Sequence, residues 1–243
     1  MIATLRTVVL DAPDPFRLAQ FYADLAGWTQ RGGEPDFVVL TSPDGWRFGM
    51  QLAPDHVPPR WPDPAYPQQA HLDLLVADVE TAAKRAITLG ARPLAVGASW
   101  RTLADPAGHP FDLCHNPQAD PDNPAEAMKM YAVTLDTGDA ARLSQFYAQL
   151  LGLDVRFLGD EGALIGRDDQ PQIMFQQISD YRPPRWPDPS HPQQFHLDAT
   201  VTDVDSAQAQ ALDLGATRLA FEGENWRVFA DPDGHPFCLC WDL

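Results

Sequence analysis

"PPRWPDPAYPQQAHLD" (58–73) returns as "PPRWPDPSHPQQFHLD" (183–198), with only three of the sixteen positions changed. Proline fixes φ and removes an N–H donor, so the front of this segment cannot continue a central strand. It reads as a stiff joint that leaves one sheet and enters another. The closing "HLD" opens a strand. In "HLDLLV", a period of two puts His71 and Asp73 on one face and Leu72, Leu74 and Val76 on the other. The aliphatic face should pack on a helix, leaving His71 and Asp73 on the open side. His196 and Asp198 repeat the arrangement.

Outward from this segment, the repetition covers the chain. Phe21-Tyr22 corresponds to Phe146-Tyr147, Gly90-Ala91 to Gly215-Ala216, and "DPAGHPFDLC" (105–114) to "DPDGHPFCLC" (231–240). A duplication of this kind has to be read before the fold. It divides the chain into domains at 1–117 and 128–243, joined by a polar, proline-rich linker at 118–127. Each half divides again. Four times a β-rich run ends near an Asp suited to cap a helix: Asp14, Asp78, Asp139 and Asp203. A helical pattern follows, then a closing glycine, Gly27, Gly90, Gly152 or Gly215, and then short strand-like runs. The unit is βαβββ, four times over. One unit cannot enclose the apolar face of its own sheet, so units must pair. The expectation is an α+β fold in which the two units of each half form one cup-shaped eight-stranded sheet, helices outside. The concave face is then free for a ligand.

The totals narrow the partners. A net charge of −17 sets nucleic acid and anionic membrane aside. No apolar run reaches the ~20 residues of a membrane span, and "MIATLRTVVLDAPD" reads as a first strand rather than a signal peptide. Three cysteines, Cys114, Cys238 and Cys240, lack the spacing of a disulfide framework and fit reduced thiols in the cytoplasm. A small molecule is the expected partner, and a monomeric pseudo-dimer or a homodimer the expected assembly. Nucleophile elbow, phosphate loop and CxxC pair are all missing from the sequence.

Three features carry a family resemblance: the paired βαβββ modules, "LAQFYADLAGW" (18–28) with "LSQFYAQLLGL" (143–153), and the "DPxGHPF" turns. Through them the chain resembles the vicinal oxygen chelate superfamily of glyoxalase I, extradiol dioxygenases and bleomycin-resistance proteins. The resemblance implies two tandem glyoxalase-like domains that bind a small organic molecule in a concave cleft, as a sequestering binder or a metal-independent enzyme. The alternative it implies is a divalent-metal-dependent lyase or dioxygenase. The first reading needs no cofactor; the second needs a divalent metal, placed in the N-terminal half.

In metal-dependent members the ligands come from the first and last strands of the modules. Carried onto this chain, those positions are Thr7, Gln51, His71 and Asp112 in one half, and Ala132, Gln176, His196 and Cys238 in the other. Gln51, His71 and Asp112 are the candidate metal ligands, about three being the usual protein contribution to a catalytic site. The set with Cys238 suits a softer metal. Without metal, His71 with Asp73 and His196 with Asp198 are candidate catalytic pairs, a base and its orienting acid. Gln51, Trp61, Gln176 and Trp186 are candidate ligand contacts. Their plainer reading is structural: glutamines that satisfy a polar network, and tryptophans that anchor the proline-rich joints. His109 and His235, just past the turns, are expected near the surface.

Overall fold

A computed structural model of the chain describes residues 1–63, 65–119, 128–167, 172–188 and 192–242. Most of the linker expected at 118–127 lies outside the described residues. The four modules follow in order: β1 (Thr4–Ala12), α1 (Pro15–Ala26), β2 (Thr29–Glu34), β3 (Phe37–Thr41) and β4 (Arg47–Leu52); then β5 (Ala70–Val76), α2 (Val79–Thr88), β6 (Arg92–Val96), β7 (Trp100–Ala104) and β8 (Pro110–His115). The second half repeats them as β9 (Met128–Thr137), α3 (Ala140–Leu151), β10 (Asp154–Gly159), β11 (Gly162–Gly166) and β12 (Gln172–Gln177); then β13 (Phe195–Thr200), α4 (Val204–Asp213), β14 (Thr217–Glu222), β15 (Trp226–Ala230) and β16 (Pro236–Cys240).

All four helices begin as their capping residues predict. The Asp14, Asp78, Asp139 and Asp203 carboxylates accept from the backbone N–H of Arg17, Thr81, Arg142 and Ser206. The C-termini divide into two kinds. Gly27 and Gly152 are left-handed caps, at φ 71° and 64°. Helices α2 and α4 end on Leu89 and Leu214, and the glycine expected to close them follows one residue later.

The sheets correct the expected pairing of modules. Two eight-stranded sheets form, but each takes one module from each half. The first sheet has the order β14-β15-β16-β13-β1-β4-β3-β2, and the second β10-β11-β12-β9-β5-β8-β7-β6. Antiparallel contacts between first strands, β1 with β13 and β5 with β9, close the two seams. The physical reason is that all four first strands carry the same pattern, so any two can pair. The joint decides which do. Its prolines carry the chain off β4 and into β5 of the other sheet, where a hairpin would have kept it beside β4.

Helices lie on the outer side of each cup, α1 and α3 deeply packed and α2 and α4 largely exposed, burying only Ala83, Ala86, Ala207 and Ala211. Phe21 of α1, a helix lying on the first sheet, packs edge-on against Phe111 of the second at 5.9 Å; Phe146 and Phe237 repeat the contact at 5.9 Å. One continuous core therefore joins both helical layers, including Leu72, Leu74 and Val76 as the alternation of β5 predicts. Among the described residues no helix is long and apolar enough to cross a membrane.

Candidate functional site

Strand alternation leaves each concave face with the polar residues that the core rejects. In the second sheet, β5 presents His71 and Asp73, β8 presents Asp112 and Cys114, and β9 presents Thr134. Asp73 sits beside Asp112 in the parallel β5–β8 register, and His71 opposite Thr134 in the antiparallel one. His71 Nε2 lies 3.8 Å from Asp73 Oδ2, which also accepts from the Thr134 hydroxyl. His71, Asp73 and Asp112 each offer a ligand atom, all within 4.8 Å of one another. Asp112 Oδ1 is buried without a hydrogen-bond partner, and burial raises the pKa of this carboxyl above its ordinary value.

The first sheet builds a related cup. His196 Nε2 lies 3.6 Å from Asp198 Oδ1, and Cys238 of β16 completes a cluster with them. Burial, aided by Asp198, drives the Cys238 thiol well above its usual pKa, so it stays protonated. Around this cluster runs a cleft of about 540 Å³. Its polar wall includes Arg6, Arg47 and Gln51, and its apolar wall Phe37, Trp186, Phe221 and Trp226. A side chain at Gly49 would strike the Phe37 ring at 2.6 Å, so the absence of a Cβ there is what seats that ring.

Both histidines are held from behind by a glutamine that sequence reasoning passed over. The Gln68 amide nitrogen lies 3.2 Å from His71 Nδ1 and 3.1 Å from Asp136 Oδ1. Gln193 does the same for His196 and Asp11, at 3.3 and 3.0 Å. An amide that donates to both neighbours leaves Nδ1 unprotonated and the neutral imidazole's proton on Nε2, facing Asp73 or Asp198. The signal was present in the opening repeat, where "PQQ" sets a glutamine three residues before each histidine.

The candidate ligands fall out differently from their sequence grouping. Gln51 is on β4 in the first sheet, while His71 and Asp112 are in the second, so these three are not brought together. Gln51 instead shares a cleft with His196, Asp198 and Trp186. Gln176, on β12, belongs to the sheet of His71, and its side chain is exposed. Trp61 is half-buried in the first joint. The expectation for the turn histidines is corrected: His109 and His235 are 4% and 0% exposed, each fixed to the Asp that starts its turn. The joint segments pack on them, His56 and the Gln194 carbonyl on His109, Tyr181 and Phe195 on His235.

No curated protein matches the chain in sequence. Among solved structures, glyoxalase I from Zea mays superposes with a TM-score of 0.64 at 16% identity, over 98% of this chain and 92% of that one. A putative dioxygenase from Bacillus subtilis gives a TM-score of 0.61 at 12% identity, over 99% and 86%. At such identities the likeness is one of fold. The sequence profile of the glyoxalase-like domain matches twice, at residues 7–114 and 132–240, each time closing on the strand after a DPxGHPF turn. This chain therefore belongs to the glyoxalase-like family and carries its domain in tandem.

Proposed function

We propose that the protein binds a small organic molecule in the cup of the first sheet. One observation carries this reading: a cleft of about 540 Å³ in which His196, Asp198 and Gln51 converge beneath exposed aromatic rings. Clefts of about 300–1,000 Å³ with apolar walls and few convergent polar groups are the usual form of a ligand site. His196 carries its Nε2 proton on the cleft side, 3.6 Å from Asp198 Oδ1, so a donor and an acceptor stand side by side. That pair suits recognition of a polar group on the ligand. A single chain supplies both cups, which supports a monomeric pseudo-dimer. Its three free thiols support a reducing, cytoplasmic setting.

A mixed panel of neutral, anionic and cationic one- and two-ring compounds, read by thermal shift, tests the reading. The wild type should be stabilised saturably by at least one class, with affinity about tenfold weaker in Trp226→Ala. Silence across the panel, or equal binding by Trp226→Ala and Gln51→Ala, removes it.

Metal-dependent chemistry, the second reading, is favoured by the unpartnered Asp112 oxygen. An orphaned buried carboxylate oxygen costs about 1–3 kcal/mol, and a cation would satisfy it. One imidazole and two carboxylates fit a divalent ion with positions left open, and Gln68 orients the imidazole from behind. The first cup fits less well, because Cys238 is a protonated thiol and a metal needs the thiolate. When bound, a divalent cation supplies Lewis-acid polarisation and a water of lowered pKa. Elemental analysis of chelator-free protein decides: stoichiometric metal lost in Asp112→Ala supports this reading, and trace metal unchanged in that variant ends it.

A further inference from the structure

The two cups differ most in the charge of one wall. Arg6 sits at the bulge of β1, between the Leu5–Ala199 and Thr7–Asp198 pairs, and the bulge turns it into the cleft. Arg47 enters from the neighbouring β4. At the matching places of the second sheet stand Tyr131, the bulge residue of β9, and Gln172 of β12. The second cup also has Asp112 where the first has Cys238, while its Asp73 and Asp136 are matched by Asp198 and Asp11.

The arginine wall is not explained by folding. Arg47 Nε is buried with no hydrogen-bond partner. Among the described residues, neither Arg6 nor Arg47 takes part in an ion pair within 4.0 Å, although Asp36 and Asp198 line the same cleft. Asp198 is engaged by His196 and lies 3.9 Å from the Cys240 thiol, and Asp36 is exposed. Burial and the like charge of Arg6 hold the Arg47 guanidinium below its ordinary pKa, against the pull of Asp198. Two cations set side by side, one with a dry unpaired donor, cost stability unless an anion arrives.

The opposite wall is apolar and equally unspent. Trp226 is 38% exposed, Phe221 40% and Leu52 37%, and all three line this cleft. Trp186 packs on Phe221 with ring centroids 4.6 Å apart, which holds the two rings in place for a flat partner.

We infer that the first cup takes an aromatic carboxylate, its anionic group against Arg6 and Arg47 and its ring against Trp186, Phe221 and Trp226. The inference rests on the first cup being the ligand site and adds the charge and shape of what enters it. A guanidinium fork meets a carboxylate through paired N–H donors, and the cleft's partial desolvation strengthens that contact.

Calorimetric titration with 2-naphthoate, 2-naphthamide and 2-naphthylmethylammonium holds the ring constant and varies the charge. The carboxylate should bind about tenfold or more tightly than either analogue. Arg47→Met and Arg6→Met should each lose most of that preference, and Arg47→Lys should keep part of it. Neither methionine variant should melt below the wild type, since each relieves like-charge repulsion. Equal or better binding of the amide or the ammonium overturns the charge assignment and leaves the cup reading standing. So does naphthoate binding that both methionine variants retain. Silence from all three compounds also overturns the inference, and the mixed panel then decides whether the cup reading falls with it.

Discussion

Gln69 and Gln194 hold each other across the centre of the molecule: each backbone N–H donates to the other's side-chain oxygen, both at 3.1 Å. Their side-chain nitrogens reach on to the opposite joints, Gln69 to the Pro192 carbonyl and Gln194 to that of Pro67. These residues stand just before β5 and β13, where the chain commits to a sheet. The reciprocal pair therefore locks the exchange of modules at the point where it is made.

Truncating one member strands a buried backbone donor on the other. Gln194→Ala should cost about 1–3 kcal/mol in urea unfolding, with little change in the slope. Gln69→Ala should cost a similar amount. The double variant should cost about the sum, because each side chain's partner is the other residue's backbone N–H, which alanine keeps. A cost well below the sum would show that losing one bond already loosens the other, so that the two act as a unit.

Much of this architecture was legible in the chain. The four capping aspartates announced the helices, and "HLDLLV" announced which face of β5 would be wet, because both depend on neighbours within a few residues. Which modules share a sheet was not legible. That choice lies between strands of identical pattern, such as β1 and β9, and depends on the path of the joint in space. The error in grouping Gln51 with His71 follows directly, since adjacency in sequence stood in for adjacency in a sheet. Arg6 was hidden for another reason: only the bulge in β1 turns it into the cup.

In the last turn, His235 titrates in a buried chain of hydrogen bonds. Its Nδ1 lies 2.9 Å from Asp231, and its Nε2 lies 3.1 Å from the Tyr181 hydroxyl, which donates to the Asp233 carbonyl. With that hydroxyl donating to Asp233, His235 can donate from Nε2 as well as from Nδ1, an arrangement that favours the doubly protonated ring. Burial is the largest effect and opposes the charged ring, but Asp231, with Asp233 and Asp136 behind it, outweighs it and the pKa ends above 6.5. A raised histidine stabilises fully below its unfolded value and loses that contribution as pH climbs through the folded value. The stability gap between wild type and His235→Gln should therefore be widest at about pH 6 and narrow toward about pH 9. A gap independent of pH would mean the ring is neutral throughout.

Asp136 carries the opposite sign. It is 6% exposed and accepts from Gln68, yet burial outweighs the attraction of His71 and raises its pKa above 3.8. The folded state thus binds this proton more tightly than the unfolded chain does. Its ionisation costs stability as pH rises through the folded value, and the cost is absent below 3.8, where both states are protonated. Asn in its place keeps an oxygen for the Gln68 amide and has no charge to bury. Asp136→Asn should melt higher than the wild type at about pH 8, with the advantage shrinking as pH falls toward about 4. Asp11→Asn should behave alike in the first cup, where Gln193 is the donor and burial again raises the carboxyl. Lower melting of both variants at neutral pH would show that the ionised carboxylates, through their glutamines, support the histidines by more than their burial costs.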